Sequence, residues 1–280
     1  LIQANGVTHF KTIIAAKIAN IKSVWIVEDS YSPKIIVSIF RILAKFVDCK
    51  VVYISKKVFN FYIRDSKIKK KNIYEIMSPT DTNFFKRKLR KKNNKELIVT
   101  TVSNLTRVKG VEIFLETAEK ILNKTLAVKF LFVGGKVKNQ KDYAQKIEKI
   151  HSKMKKQIKR KIIFKGLDLN VKKILQNTDI FVCTSITEGG PIALWEAMSM
   201  NIPVVSTKVG GAPQYIKNGF NGYLCNISDS EDLANKVYKL MINSKLRNKI
   251  GFQARKIIKK KIDSLKITKK YEKLYTAALS

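Results

Sequence analysis

Cysteine, proline and glycine are scarce in this sequence. Its 280 residues include 3 Cys, 5 Pro and 12 Gly, and 45% of them are hydrophobic. So little Pro and Gly beside so many hydrophobic residues excludes a collagen-like or disordered chain. Cys49, Cys183 and Cys225 are odd in number and far apart, which excludes a disulfide framework and a Cys-x-x-Cys metal site. A reducing, cytoplasmic setting fits this cysteine usage best.

Long apolar runs are also absent. No stretch reaches the roughly 20 apolar residues needed to span a bilayer, and no signal peptide is recognisable. The longest run, residues 35–47, is broken by Arg41 and Lys45, which lie four residues apart on one helical face. This run predicts a core helix, with a membrane-surface helix as the alternative. Because the residues after Leu1 already read as the middle of a domain, we expect an N-terminally truncated domain.

Acidic residues and arginines are few, so the chain carries a large positive charge. Lys and Arg total 56 against 21 Asp and Glu, which gives +35 at pH 7 and a pI near 10.1. Arg is confined to a few sites such as Arg41, Arg107 and Arg160, whereas proteins that read phosphates or bases favour its bidentate fork. The excess of Lys, Ile and Asn is typical of coding bias in an AT-rich genome. The second interpretation is peripheral binding to an anionic membrane surface, at its inner face, and nucleic acid is disfavoured as a partner.

Short β-branched runs alternate with amphipathic stretches along most of the chain. This alternation predicts an α/β protein with parallel sheets. We divide it into a partial N-terminal domain at 1–77, a polar linker at 78–95, a C-terminal domain at 96–255 and a final helix at 256–280. Ser228 and Glu231 predict a capping box for a helix that ends near residue 242. The predicted strands are 24–27, 51–54, 73–77, 97–102, 128–133, 162–164, 180–184 and 204–206, and the main predicted helices are 33–46, 111–122, 143–154, 171–176 and 191–200.

The clearest chemical signal follows the predicted strand at 180–184, where a Gly-Gly-Pro turn at 189–191 leads into a helix. Such a turn at the carboxyl edge of a parallel sheet presents free N–H groups and the positive end of the helix dipole. This arrangement binds phosphates. Because Pro191 has no N–H group, Ile192 and Ala193 are the expected amide donors.

Two carboxylates flank this turn. Glu188 precedes the glycines, and Glu196 lies roughly 1.5 turns inside a helix that is otherwise mostly apolar. A carboxylate on the inner side of such a helix needs a partner, and a sugar diol would supply one. The alternatives are a surface pair between Glu196 and a neighbouring Lys, and an exposed loop acid at Glu188.

Further motifs occur in a fixed order around these acids. The pair Glu188 and Glu196 is followed by Ala-Met, by Asn-Ile-Pro-Val-Val-Ser at 201–206 and by Val-Gly-Gly at 209–211. Related segments lie at 100–110, 130–135, 164–166 and 218–224. Together they cover the chain from about residue 97 to residue 242. This string of motifs resembles the retaining, nucleotide-sugar-dependent glycosyltransferases of family 4, also called glycosyl transferases group 1.

The resemblance implies the GT-B fold, in which two Rossmann-like domains face each other, with the donor bound mainly by the C-terminal domain. It implies transfer of a sugar from a nucleoside diphosphate donor, UDP- or GDP-linked, to a hydroxyl of a glycan, a lipid-linked saccharide or a small molecule. No cofactor or metal is implied, and we find no Asp-x-Asp pair. The alternatives are a GT-B nucleotide-sugar epimerase and a polyanion- or membrane-binding protein with a vestigial site.

The resemblance also assigns roles to individual residues. Glu188 would contact the donor sugar, Lys109 would hold the diphosphate, and both are the expected catalytic residues. Glu196 would hold the ribose hydroxyls. Asn104 stands where the family typically has Arg, so Arg107 is expected to supply the missing charge. The other expected donor-binding residues are Gly189, Gly190, Ile192, Ala193 and Gly134.

Two of these assignments have alternatives, and two further acids have an open role. Lys109 has the alternative of an ordinary lysine at a helix start, and Gly134 that of a residue that only ends a strand. Glu28 and Asp29 follow the strand at 24–27, where many relatives have a His-containing strand end that faces the acceptor. They read either as acceptor-side groups or as solvated loop acids.

Overall fold

A computed structural model describes residues 1–87 and 96–279, which form two parallel β-sheets with helices packed on them. The first sheet has the order β1-β2-β3-β4, and each of its strand pairs is parallel. Helices connect the first three strands, because parallel neighbours require a crossover. The elements of this half are β1 (Ile2–Asn5), α1 (Phe10–Ile18), β2 (Ser23–Val27), α2 (Lys34–Phe46), β3 (Lys50–Tyr53), α3 (Lys56–Val58), a π-helical turn (Phe59–Ile63) and β4 (Ile73–Glu75).

The second sheet has six strands in the order β10-β9-β8-β5-β6-β7, and every pairing is again parallel. Its order reverses between β5 and β8, which is where doubly wound sheets open a crevice at their carboxyl edge. Its elements are β5 (Leu97–Val102), α4 (Val111–Leu122), β6 (Val128–Val133), α5 (Lys141–Lys153), α6 (Lys156–Lys159), β7 (Ile162–Gly166), α7 (Val171–Gln176), β8 (Ile180–Cys183), α8 (Ile192–Ser199), β9 (Val204–Thr207), α9 (Ala212–Tyr215), β10 (Tyr223–Cys225), α10 (Ser230–Ile242) and α11 (Ser244–Lys261).

The last helix, α12 (Ser264–Leu279), packs on the first sheet. Strand β2 is buried along its whole length, because its side chains alternate between two covered faces. Val24 and Ile26 join the cluster that contains Ile267 and Leu274 of α12. Trp25 points to the opposite face, where its ring meets Phe40 of α2 edge-on at 4.7 Å. The first sheet is therefore covered on one face by residues from the far end of the chain.

The parallel α/β architecture expected from the sequence is confirmed, and the bounds of β5, α4, β6 and α7 coincide with the prediction. The run at 35–47 forms α2, whose inner face buries Val37, Phe40 and Ala44, as expected of a core helix. The capping box was wrong. Asp229 caps α10 by accepting from the backbone N–H of Asp232, while Ser228 has a positive φ of 65°. An Asp side chain reaches the first-turn N–H groups as well as Ser does.

Other elements differ from the expected organisation. Strand β1 and helix α1 were not predicted. Helix α11 is one unbroken helix across residue 255, so the separate final helix begins only at Ser264. Of the predicted linker at 78–95, residues 88–95 lie outside the described part of the chain.

The chain crosses between the two halves at two adjacent places. Around Thr80 and Ile262 the backbones pair, with the N–H of Thr80 donating to the carbonyl of Ile262 at 2.9 Å and that of Ser264 donating to Thr80 at 2.9 Å. The hydroxyl of Thr82 donates to the Asp263 carboxylate. These bonds fix the outgoing and returning segments side by side.

Within residues 1–87 and 96–279, none of the helices combines the length and the hydropathy that crossing a bilayer would require.

Candidate active site

The loop after β8 and the turn before α4 are held together at the point where the strand order reverses. The hydroxyl of Thr184 donates to the carbonyl of Lys109 at 3.1 Å, and the N–H of Ile186 donates to that of Val108 at 2.8 Å. Gly110 has a φ of +59°, and a Cβ there would lie 2.3 Å from the Thr184 carbonyl oxygen. Only glycine permits this approach. The close contact places Lys109 beside the loop that carries Glu188.

Lys109 and Glu188 form an ion pair at the mouth of the crevice. The ammonium of Lys109 donates to Oε1 of Glu188 at 2.5 Å, and Ser185 Oγ donates to the same oxygen at 2.8 Å. The Lys109 side chain is 25% exposed and that of Glu188 is 13% exposed, so the pair is only partly shielded from water. All three side chains line a cavity of about 300 Å³. The two residues expected to be catalytic are therefore brought together, with Ser185 as a third partner.

The first turn of α8 forms one wall of the same cavity. Gly190, Pro191, Ile192 and Ala193 all line it. The first N–H groups of an α-helix have no partner within the helix, so those of Ile192 and Ala193 are free to bind an anion. The side chain of Ile192 is 51% exposed, which leaves this helix end accessible. The expected amide donors thus face the cavity that holds Lys109.

Glu196 follows one turn later on α8 and lies half-buried in an apolar helix. Burial raises the pKa of its carboxyl group to about 7, since loss of water disfavours the charged form. Nothing in residues 1–87 and 96–279 gives this carboxylate a hydrogen bond or an ion pair. The surface pair with a neighbouring Lys, which was the alternative, is therefore not formed. A half-buried carboxylate without a protein partner is suited to accept hydrogen bonds from a ligand.

Besides Glu196 and Gly189, three residues expected to bind the donor do not line this cavity. Asn104 is exposed to solvent beyond the end of β5. The guanidinium of Arg107 is paired with Asp142 and lies over the ring of Tyr143, so it points toward α5 instead. A Cβ at Gly134 would lie 1.7 Å from the carbonyl oxygen of Ser103. The geometry thus favours the alternative reading of Gly134, a glycine required by backbone packing where its strand ends.

Gly189 belongs to the contact between the two halves. A Cβ on Gly189 would lie 1.5 Å from the carbonyl oxygen of Glu28, so only glycine lets the two loops meet. The hydroxyl of Ser30 donates to the carbonyl of Glu188 at 2.9 Å beside this contact. Glu28 and Asp29 line a second opening of about 460 Å³ that also includes Lys109, Glu188, Gly190 and Ile192. The acids expected on the acceptor side therefore share one opening with the two residues expected to be catalytic.

Several neighbours of the site were not predicted. The hydroxyl of Ser185 donates to the Glu188 carboxylate. The hydroxyl of Thr187 is hydrogen-bonded to that of Ser30 at 3.1 Å and accepts from the ammonium of Lys57 at 3.5 Å. Lys57 and Ser30 come from the other half of the chain, more than 100 residues away, so no local pattern marks them. Ser185 had a usable signal, because it lies three residues before Glu188 in the same loop.

Comparison with known proteins identifies the family. The sequence profile described as Glycosyl transferases group 1 matches residues 82–257. The chain belongs to this family. It is 30% identical over 183 residues to N-acetyl-alpha-D-glucosaminyl L-malate synthase of Bacillus anthracis, a match that covers 64% of the chain and 45% of that protein. It is 31% identical over 184 residues to poly(ribitol-phosphate) alpha-N-acetylglucosaminyltransferase of Staphylococcus aureus, covering 65% of the chain and 36% of that protein. These matches span less than half the length of either relative.

Solved structures show that the fold of this group 1 chain is GT-B. The structure of Anabaena HepE in complex with UDP superposes with a TM-score of 0.85 at 20% identity, over 95% of this chain and 75% of that one. A glycosyltransferase from Rickettsia africae gives the same TM-score and identity, over 99% and 77% of the two chains. Both expectations drawn from the sequence motifs, the family and the fold, are confirmed. Within the described residues, no group of three His, Cys, Asp or Glu side chains is placed to hold a metal ion.

The raised pKa of Glu196 predicts a pH-dependent stability. Between the ordinary pKa of an unfolded Glu and about 7, the folded state keeps a proton that the unfolded state has lost, so the free energy of unfolding falls as pH rises through this window. Glu196→Gln should remove this fall. Between pH 4 and pH 8, the unfolding free energy of the variant minus that of the parent chain should therefore increase by up to about 3 kcal/mol. Urea unfolding at several pH values measures the difference.

Glu116→Gln is the matched control, since Glu116 is exposed on α4. Its unfolding free energy should follow that of the parent chain at every pH. Parallel pH curves for Glu196→Gln and the parent chain would contradict the assignment of a perturbed carboxyl group.

Proposed function

We propose that this chain forms the donor-binding half, and part of the acceptor-binding half, of an enzyme that transfers a sugar from a nucleoside diphosphate sugar to an acceptor hydroxyl. The observation that carries this proposal is the shared cavity of Lys109, Glu188 and the α8 N-terminus, with the unpartnered Glu196 one turn inside the helix. The names of its relatives support sugar transfer. The structures of HepE with UDP, and with UDP-glucose, support a uridine nucleotide as the first donor to test.

Each of these residues is assigned to one part of the donor. The N–H groups of Ile192 and Ala193 and the ammonium of Lys109 face the diphosphate, whose charge they balance. Glu196 accepts from the ribose hydroxyls, which satisfy its otherwise unpaired carboxylate. Glu188 contacts the donor sugar. In the absence of donor, Glu188 is held by Lys109 and Ser185, so the diphosphate must share or take over the Lys109 ammonium as it binds.

We propose that the transfer proceeds with retention at the anomeric carbon, as the resemblance to the retaining enzymes of family 4 implies. As the bond to the leaving diphosphate breaks, positive charge develops on the sugar and negative charge on the diphosphate. Lys109 and the helix end stabilise the negative charge, which increases in the transition state. With this positive field supplied by the protein, the proposed reaction needs no metal ion. The acceptor hydroxyl is placed in the opening lined by Glu28 and Asp29, beside Glu188.

Nucleotide binding tests the donor site directly. UDP at about 100 times its dissociation constant should stabilise the chain by about 2.7 kcal/mol, or roughly 5 °C in Tm. Glu196→Ala should abolish most of this shift, because it removes the ribose contact, whereas Glu116→Ala should keep it. Thermal unfolding with UDP, GDP and ADP measures the effect and selects the base. A folded chain that responds to none of the three would contradict the proposed donor site.

The stereochemical outcome tests the mechanism. With UDP-α-glucose as donor and water as acceptor, the first glucose released should be the α-anomer, and its rate should not change when EDTA is added. Proton NMR distinguishes the anomers before they equilibrate. Lys109→Ala should slow release roughly 100-fold, as expected for loss of one group that stabilises the leaving charge. The exposed Lys138→Ala should leave the rate unchanged. Initial release of the β-anomer would overturn retention.

We also propose that the enzyme works at an anionic membrane surface, through apolar side chains on the outer sides of α1 and α2. Ile18, Ile35, Ile42 and Phe46 are 82%, 69%, 55% and 69% exposed. Exposed lysines such as Lys45 lie among them. Apolar side chains surrounded by lysines are typical of surfaces that insert into the headgroup region of anionic bilayers.

Vesicle flotation tests this surface. The chain should float with phosphatidylglycerol vesicles and not with phosphatidylcholine vesicles, and Ile42→Glu with Phe46→Glu should reduce the bound fraction at least tenfold. Leu169→Glu with Phe252→Glu is the matched control, because both residues are exposed elsewhere and the charge change is equal. Equal losses in the two double variants would show that only the overall charge of the chain attracts it, and the surface would be wrong.

A further inference from the structure

A third cavity lies between the two halves, on the other side of the Gly189 contact. It has a volume of about 910 Å³, three times that of the cavity beside Lys109. We call it the basic cavity, after the lysines that line it. They come from five places in the chain and are Lys56, Lys57, Lys208, Lys217, Lys261 and Lys270.

The positive charge of the basic cavity is not balanced by the protein. Glu75 is the one carboxylate among the described residues that line it. Its oxygens already accept from Gln214 at 2.7 Å and from the hydroxyl of Tyr53 at 3.4 Å. None of the six lysines forms an ion pair with a residue in the described ranges. Six like charges around one cavity repel each other, so an anion that enters it lowers the energy of all of them.

The basic cavity also has apolar and aromatic walls. Tyr215 and Phe220 line one side, and Met77 and Ile257 line others. Phe220 is 42% exposed, and no other aromatic ring of the described residues packs against it. A volume of this size accommodates an organic ligand and exceeds what a single inorganic phosphate fills. The lining therefore suits a molecule with an uncharged body and more than one phosphoryl group.

The basic cavity adjoins the reaction centre. Lys57 lines the basic cavity, and its ammonium lies 3.5 Å from the hydroxyl of Thr187, which lines the opening beside Glu188. Gly210 also lines the basic cavity, and the next residue, Gly211, donates its N–H to the carbonyl of Gly189 at 3.1 Å. Burial lowers the pKa of Lys57, while the nearby Glu188 opposes this shift. The Lys57 side chain therefore contacts the linings of both spaces.

We propose that the basic cavity binds the phosphoryl groups of the acceptor, and that the acceptor is a phosphorylated saccharide. This proposal rests on the proposed sugar transfer, because it assigns the second substrate of the same reaction. The lysines hold the phosphoryl groups, and Phe220 lies against the sugar. The hydroxyl that receives the donor sugar then extends past Lys57 toward Glu188. Part of the positive charge of the chain therefore serves to bind phosphoryl groups in the basic cavity, in addition to any coding bias.

Binding of a sugar bisphosphate tests the proposal. Fructose 1,6-bisphosphate, inorganic tripolyphosphate and glucose are titrated by calorimetry into the 280-residue chain, with and without saturating UDP. Saturating UDP occupies the proposed diphosphate site beside Lys109, so binding measured in its presence reports the basic cavity. Both phosphorylated probes should still bind under this condition, and glucose should not bind. Lys208→Gln with Lys261→Gln should weaken both at least tenfold. Phe220→Ala should weaken the sugar bisphosphate alone, because tripolyphosphate has no sugar.

Lys149→Gln with Lys153→Gln is the matched control, because both lysines are exposed on α5 and the charge change is the same. It should change affinity less than twofold. Equal weakening by the two double variants, complete loss of probe binding under saturating UDP, or no binding of the sugar bisphosphate would each overturn the proposal. Failure of the donor site is distinguishable, since it appears as the loss of the UDP-induced Tm shift, which the basic-cavity variants leave intact.

Discussion

The close contact of two backbones at Gly189 sets the geometry of everything around the cleft. A carbonyl from the first half, that of Glu28, occupies the space where any other residue at position 189 would have its side chain. Gly210 makes the same kind of contact one layer further in, since a Cβ there would lie 2.4 Å from the Gly189 carbonyl oxygen. The Gly189 contact brings the carboxyl edges of the two sheets together. Gly189 lines the opening beside Glu188, and Gly210 lines the basic cavity.

Electrostatics distinguishes these two spaces. Beside Lys109, a cation and an anion neutralise each other until a ligand intervenes, so the empty site is preorganised at little cost. The unpaired carboxyl of Glu196 adds a group that is less stable without a ligand than with one. In the basic cavity, by contrast, no ion pair with a described residue neutralises the six lysines. In a chain with an excess of 35 positive charges, both spaces therefore contain groups that a ligand can satisfy.

Much of this arrangement could be predicted from the sequence. The strands and helices around Glu188 were recognisable because β-branched runs alternate with amphipathic ones, and the convergence of Glu188 and the α8 N-terminus follows from their proximity along the chain. Lys109 could be placed beside them only through the family resemblance, since 79 residues separate it from Glu188.

Other features depend on tertiary packing that no local pattern encodes. Arg107 was expected at the donor site because of its position in a motif, but Asp142 on a neighbouring helix pairs with it instead. Gly134 was expected to face a ligand, and the Ser103 carbonyl explains its glycine by packing alone. Strand β1 was missed because only Ile2 among its four residues is β-branched, so it lacks the β-branched run that marked the other short strands. The lysines of the basic cavity resemble all the other lysines of the chain until the fold brings them together.

The paired crossings at Thr80 and Ile262 determine how the two halves can move. Because the outgoing and returning segments are hydrogen-bonded to each other, one half cannot slide past the other without breaking those bonds. Arg255 reinforces the junction by donating to the carbonyls of Thr82 at 3.0 Å and Phe85 at 3.1 Å. The junction therefore holds the two segments in one register, and any change in the width of the cleft that keeps these bonds has to come from the angle between the halves rather than from their translation.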